Sequence, residues 1–423
     1  MRELTCLGAR SRFPWARPTE GVFMKSRGFA ILALLGALLG LVFALTSTLD
    51  YASHLDRRLH DVTCSFIPGA AATGEAEACR TAMYSPYAAL LRDSYWGGIP
   101  ISLFAVGAFC FFAGFAIYLA VAGQAAPRRA VLLFAGTGVT PALVSIGMFV
   151  ISATRLGTFC KTCVGIYIAS FVLAVAALLG LATLSAKHAT DRPRPPGSLW
   201  LVLALLPALA ALTLLPAVVY ASAAPDHRPY LASCGELKQQ PREKDQLLSV
   251  RGQSAVKPAL FFEDPLCPTC KAFHARLKGE GVLSRLDIKL ALFPLDPSCN
   301  WMLDTPLHPG ACTLSKAVIC GGERSLEVLE WAYDEQERLG AAGKSGEDVL
   351  KGAITQRWGA DMGKCVDSPK TKARLNAHLH FAVDNAVPVS TPQVYLDKKR
   401  ICDEDTDIGL RYTLKHLAPE VIR

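Results

Sequence analysis

The chain has 423 residues, a formal charge of +8 and 51% hydrophobic residues, with a mean hydropathy of +0.29. That is too apolar for a soluble enzyme and long enough for two or three domains. The positive charge does not point to nucleic acid: no basic stripe with interleaved aromatics occurs, and the Arg and Lys residues cluster beside apolar segments.

Residues 1–27 read as a cytoplasmic N-terminal extension. Met24, followed by Lys25, Ser26 and Arg27, looks like a natural start, so 1–23 read as an over-called or disordered extension. Five apolar runs follow, at 28–49, 99–122, 130–153, 160–185 and 199–220, each roughly the 20 residues a bilayer core requires. The first is longer than the apolar core of a cleaved signal and lacks a clear A-x-A site, which favours a span. Lys25 and Arg27 precede run one, Arg128 and Arg129 join runs two and three, and Lys187, Arg192 and Arg194 lie between runs four and five. Alternation puts these clusters on one side, which the positive-inside rule makes cytoplasmic. The loop 50–98, the start of run four and everything after run five then face outward. Fourteen cysteines, crowded into those outward stretches, suggest an oxidising compartment.

Cys160-Lys161-Thr162-Cys163 opens the fourth run, and Cys267-Pro268-Thr269-Cys270 follows the strand-like Pro258–Phe262. One C-x-x-C is a modest signal; two, both outward, suggest thiol electrons passed between a membrane domain and a soluble one. After the linker at 221–229 the composition changes. Strands are expected at 259–263, 287–293 and 393–396, and helices at 270–277 and 325–339. A strand, C-x-x-C and helix, followed much later by Ser390, Thr391, Pro392 and a strand, is the thioredoxin pattern. In that fold the proline bond is usually cis and packs against the dithiol.

Cys267 would sit at a helix N-terminus, where the dipole and free N–H groups stabilise a thiolate, with Cys270 the shielded resolving thiol. Zinc is the rival, but it wants four ligands, and no second C-x-x-C or H-x-H lies at finger spacing; no metal is expected. Cys64 and Cys79 lie in the loop 50–98, as an exchangeable pair or a static staple. Cys299 and Cys312 suggest a structural disulfide, with a second redox pair or a metal site with His308 as the alternative. Cys234, Cys320, Cys365 and Cys402 have no assignable partners; Cys6 and Cys110 are most simply unpaired.

Two loop cysteines, Ser85, Gly98-Ile99-Pro100, then Cys160-x-x-Cys163 with Tyr167 four residues on, resemble the vitamin K epoxide reductase (VKOR) family. The resemblance is to bacterial members fused to a thioredoxin-like domain through a fifth span. It implies a membrane all-α bundle, a four-helix core plus a fifth transmembrane helix, around a quinone (ubiquinone or menaquinone). Cys64 and Cys79 match the shuttle pair, Cys160 and Cys163 the active-site pair, Tyr167 and Ser85 quinone-site residues. By the same resemblance Cys79 should meet Cys267, and Cys64 should meet Cys160. Cys64 and Cys79 are further apart than usual in the family, with an Ala/Gly-rich insertion at 69–77. The soluble half resembles the disulfide-donor (DsbA-type) branch: Cys270 and Pro392 are far enough apart for a helical insertion in an α/β thioredoxin-like domain.

The domains are therefore expected at 28–186 (VKOR-like, with the outer loop 50–98), 187–229 (cytoplasmic loop, fifth helix at 199–220, linker) and 230–423 (thioredoxin-like). The expected activity is a membrane thiol-disulfide oxidoreductase of the bacterial inner membrane, its thioredoxin-like domain facing the periplasm. It would oxidise thiols of secreted or periplasmic clients and reduce the membrane quinone pool, through Cys267/Cys270, Cys64/Cys79 and Cys160/Cys163, with Thr391 and Pro392 forming the substrate loop. The rivals are an outward-directed reductase or isomerase, which would need a cytoplasmic donor where only Cys6 is available, and a non-enzymatic sensor or assembly factor.

Overall fold

A computed structural model of the chain describes residues 20–57, 76–185, 198–241 and 246–422. Cys6, Cys64, Lys187, Arg192 and Arg194 lie outside the described residues. The first apolar run is helix α1 (Glu20–Ser53); the outer loop holds α2 (Ala76–Met83) and the short antiparallel strands β1 (Ala89–Leu90) and β2 (Ile99–Pro100). Then follow α3 (Ile101–Ala122), α4 (Arg128–Gly138), α5 (Thr140–Ile151), α6 (Lys161–Ser185) and α7 (Ser198–Ala223). Among the described residues, five segments are long and apolar enough to cross a membrane: Arg27–Asp56, Ile101–Ala125, Arg128–Leu156, Lys161–Leu184 and Leu203–Ala223. This is a membrane protein.

The third run, expected as one helix, breaks between α4 and α5. Pro141 has no N–H for the carbonyl one turn back, and the Thr140 hydroxyl donates to that carbonyl, of Thr137, at 2.7 Å instead. The run ends in a wide π turn, Ser152–Leu156, closed by Gly157 at φ +67°, a left-handed conformation that glycine adopts without penalty. Phe29, Phe112, Phe134 and Leu173 fill the bundle core, where Phe115 meets Phe134 edge to face at 5.4 Å. Small residues set the spacing: a methyl on Gly107 of α3 would collide with the Leu212 carbonyl of α7, the close approach expected where lipid offers no hydrophobic drive for association.

After α7 come β3 (Leu248–Arg251), β4 (Lys257–Glu263), α8 (Pro268–Gly279) and β5 (Leu286–Leu292). Next are α9 (Ala311–Cys320), α10 (Ser325–Asp334), α11 (Gln336–Ser345), α12 (Glu347–Trp358), α13 (Ala360–Val366) and α14 (Pro369–Asp384). The chain closes with β6 (Gln393–Leu396), β7 (Lys399–Ile401) and α15 (Leu410–Leu417). The sheet order is β3-β5-β4-β6-β7, with β4 parallel to β5 and the other pairings antiparallel. A parallel β4-α8-β5 crossover beside an antiparallel β6-β7 hairpin is the thioredoxin-like arrangement, and α9 to α14 are its helical insertion. Successive residues of β4 face opposite ways: Ala259 and Phe261 join the core with Phe273 and Leu290, while Leu260 and Phe262 join Phe293, Phe381 and Tyr395. With both faces covered the strand reads as a continuous apolar run. The single helix expected at 325–339 is two, α10 and α11, interrupted at Glu335.

The four cysteines without assignable partners are paired: Cys234 with Cys402, and Cys320 with Cys365. The second bond ties α9 to α13, and the first joins the segment after α7 to the end of β7. Cys299 and Cys312 are bonded to each other, and Cys110 is free and exposed.

The chain divides into two compact units. One holds helical segments up to Ala44, Ala105–Val150 and Val164–Leu214; the other holds Leu45–Phe104, Ile151–Cys163 and the chain from Leu215 onward. The outer loop, expected to belong with the membrane domain, therefore packs with the thioredoxin-like sheet. The Trp96 indole donates to Asp405 at 3.0 Å, Arg57 donates to Asp405 at 2.8 Å and Arg411 to Asp93 at 2.5 Å. Arg92 pairs with Glu280.

Candidate functional site

Cys267 is the N-cap of α8, with Pro268 in the first turn. Proline lacks only an N–H that the helix start leaves unbonded, and its fixed φ suits the turn. The backbone amide of Cys270 is the one helix-start donor that helps stabilise the sulfur as a thiolate. Cys267 and Cys270 are unbonded thiols, 4% and 0% exposed. The Cys267 sulfur lies 3.4 Å from the Thr391 carbonyl, and the Thr391–Pro392 bond is cis. The Cys270 thiol donates to Cys267 and holds it down at about 6 against burial, with Thr391 helping. Burial and that same bond push Cys270 well up. One thiol is ready as a thiolate and the other keeps its proton.

Beneath them lies a carboxyl that sequence reasoning missed. Glu263, the last residue of β4, is 1% exposed and accepts from the Tyr333 hydroxyl at 3.2 Å. Burial pushes it up to about 7, so its protonation changes near neutral pH. The available signal was the acid ending an apolar strand four residues before Cys267. Asp264 next to it is a hub: it accepts from the amides of Leu266 and Leu295 and from the His308 ring at 2.7 Å. Burial pulls His308 down, but the Asp264 hydrogen bond together with the negative charges of Asp264 and Cys267 outweighs it and raises the ring. His308 is thus committed to Asp264, and the neighbouring Cys299 and Cys312 sulfurs are bonded to each other, which leaves no ligand set for the metal alternative.

Cys160 directly precedes α6 and Cys163 lies in its first turn. Both are unbonded, and the Cys160 sulfur is 2.9 Å from the Thr162 hydroxyl. Cys79, on α2, is 2% exposed and disulfide-bonded. It packs in one cluster with Cys160, Cys163, Ala82 and Met83. The helical turn of α2 buries Cys79 against the Cys160/Cys163 pair, and Cys64 lies outside the described residues.

Arg80, Thr81 and Tyr84, on and just after α2, line a cavity of about 310 Å³ together with Pro268, Thr269, Arg276, Thr391, Pro392 and Asp407. One side of α2 therefore meets the Cys160/Cys163 pair and the other borders the Cys267 end. The Ser85 hydroxyl donates to the Ala82 carbonyl at 2.7 Å, closing the end of α2. Tyr167 lies on α6 and meets Phe149 edge to face at 6.3 Å.

Residues 31–178 match the family model of the vitamin K epoxide reductase family. Over this segment the chain is similar to the VKOR family. Oxidoreductase DsbA from Xylella fastidiosa is a structural neighbour of this chain: 18% identical, covering 42% of this chain and 92% of that chain, with a TM-score of 0.31. The thioredoxin-like assignment rests on the strand order and the position of the dithiol. No curated protein matches the chain.

Proposed function

We propose that the protein oxidises thiols of client polypeptides and passes the electrons to a membrane quinone. The observation that carries this reading is the place of α2 between the two dithiols, with Cys79 packed on Cys160/Cys163 and Arg80, Thr81 and Tyr84 at the Cys267 end. A client thiolate attacks Cys267 of the Cys267–Cys270 disulfide and expels Cys270; a second client thiol then closes the client disulfide. Two electrons and two protons have moved to Cys267 and Cys270. Cys267 next attacks the loop disulfide at Cys64, Cys270 resolves that mixed disulfide, and Cys64 and Cys79 are left reduced. Cys79 attacks Cys160 of the oxidised Cys160–Cys163 pair, and Cys64 resolves it. This order inverts the one expected from resemblance, and the packing of Cys79 beside Cys160 supports it.

Cys163 then serves as the thiolate nearest the electron acceptor. Tyr167 follows it by one helical turn of α6, and Phe149 supplies an aromatic neighbour; a phenol and apolar rings suit a planar ring with carbonyl acceptors. A quinone supplies the two-electron sink and takes up two protons as the Cys160–Cys163 disulfide re-forms. The site faces the outer side of a bacterial inner membrane in this reading, with secreted proteins as clients.

An anaerobic assay of the purified protein with a reduced dithiol peptide and defined quinones tests it. One quinol per peptide disulfide is expected. Peptide oxidation that proceeds undiminished without quinone or another acceptor would remove the coupling.

A further inference from the structure

The relay leaves Arg276 without a task. It lies in the last turn of α8 and is 6% exposed. Its Nε has no hydrogen-bond partner, and among the described residues the guanidinium makes no ion pair. A desolvated cation is costly unless its donors are met. Tyr84 does not meet them: its ring centroid lies 5.1 Å from the guanidinium carbon, which covers a face while the N–H donors point out in the plane. Asp407 acts on Arg276 through space, but its carboxylate accepts from the Gly409 amide.

The guanidinium lines the cavity beside Pro268, Thr269 and the cis proline. Arg80 and Asp407 also line the wall, and Asp403 there is paired with Arg400 at 3.0 Å. Thr391 Oγ1 and Gln393 Oε1, also in the wall, are buried without partners. A cavity of about 310 Å³, next to the reactive sulfur and lined by Arg276 Nε, Thr391 Oγ1 and Gln393 Oε1 without partners, suits a polar ligand.

We infer that this cavity is a subsite for an acidic side chain of the client polypeptide, close in sequence to the cysteine that attacks Cys267, with Arg276 donating to its carboxylate. The identity of the ligand as a client rests on the proposed relay; the preference for a carboxylate does not. Arg276 is a specificity residue, and acidic neighbours should mark the cysteines oxidised first.

The test uses the full chain in detergent and two peptides with serine in place of cysteine, one with Asp and Glu beside that serine and one with Gln at those places. Calorimetry should find the acidic peptide bound about tenfold tighter, as a charge-assisted hydrogen bond predicts. Arg276→Met should abolish that preference while leaving the Gln peptide unchanged, and Arg276→Lys should keep part of it. Equal binding of the two peptides by the wild type, or a preference that survives Arg276→Met, overturns the inference. The carboxylate could instead come from the outer loop, through Asp61, Glu75 or Glu77. The variant D61N/E75Q/E77Q should keep the wild-type preference; a preference that emerges only in that variant would assign the cavity to the chain's own loop and overturn the client subsite. These peptides carry no thiol, so failure of the quinone assay would sink the relay and leave the binding result standing.

Discussion

Cys267 and Glu263 set the chemistry at the scale of single residues. With Cys267 held at about 6, alkylation of the reduced protein should rise through pH 6 and level off near neutrality, as followed by mass spectrometry. A midpoint near the 9.0 of a free thiol would show that the helix start and Cys270 do not stabilise the thiolate. The folded value lies below the unfolded one, so its contribution to the reduced state is complete above pH 9. It shrinks as pH falls and is gone below about pH 6. Glu263 has the opposite sign: burial raises it from 4.5 to about 7, so its ionisation costs stability above pH 7 and nothing below about 4.5. Glu263→Gln should stabilise the protein at pH 8, by up to about 3 kcal/mol, and leave it unchanged at pH 4. The same variant should slow resolution by Cys270, whose proton then has no acceptor; equal rates in stopped-flow peptide oxidation would exclude Glu263 as that acceptor.

Between elements, the loop before α3 is joined to the end of α8 and to α15 by charges taken out of water. Arg92 and Glu280 have side chains only 7% and 3% exposed, and Arg411 reaches both Glu280, at 3.0 Å, and Asp93. Breaking such a group leaves an unpaired buried charge. Glu280→Ala should therefore cost about 3–5 kcal/mol in denaturant unfolding, and Arg92→Met with Glu280→Met together should recover most of it. Equal losses in the single and double variants would mean that packing, not charge, holds the loop. Exchange order is also decided between elements. Removing a resolving thiol accumulates the mixed disulfide it breaks, so Cys270→Ala should trap Cys64–Cys267 and Cys64→Ala should trap Cys79–Cys160. Peptide maps of non-reduced digests showing Cys79–Cys267 instead would restore the order expected from resemblance.

For the whole molecule, the proposed orientation has both C-x-x-C pairs on the outer side of the membrane. A small thiol reagent that cannot cross membranes should reach reduced Cys267 in intact cells. Labelling that requires breaching the inner membrane would overturn the orientation and the relay with it.

Much of this was legible from residue order alone, because the signals are local. A run of about 20 apolar residues must satisfy its backbone within itself, so it reads as a spanning helix wherever it occurs. A cysteine opening a helix after an apolar strand carries its activation in the next few residues, and the VKOR pattern of Cys160, Cys163 and Tyr167 lies within two turns of α6. What could not be read this way depends on residues distant in the chain. Nothing near Cys234 announces Cys402, nor Cys320 its bond to Cys365, because a disulfide needs proximity rather than spacing. The packing of Cys79 on Cys160, the use of His308 by Asp264, and the buried Arg276 above Tyr84 are also set by tertiary contact. Covalent order fixes which groups exist and which local structure they favour. Only the closed fold, by excluding water around chosen pairs, decides which of them meet.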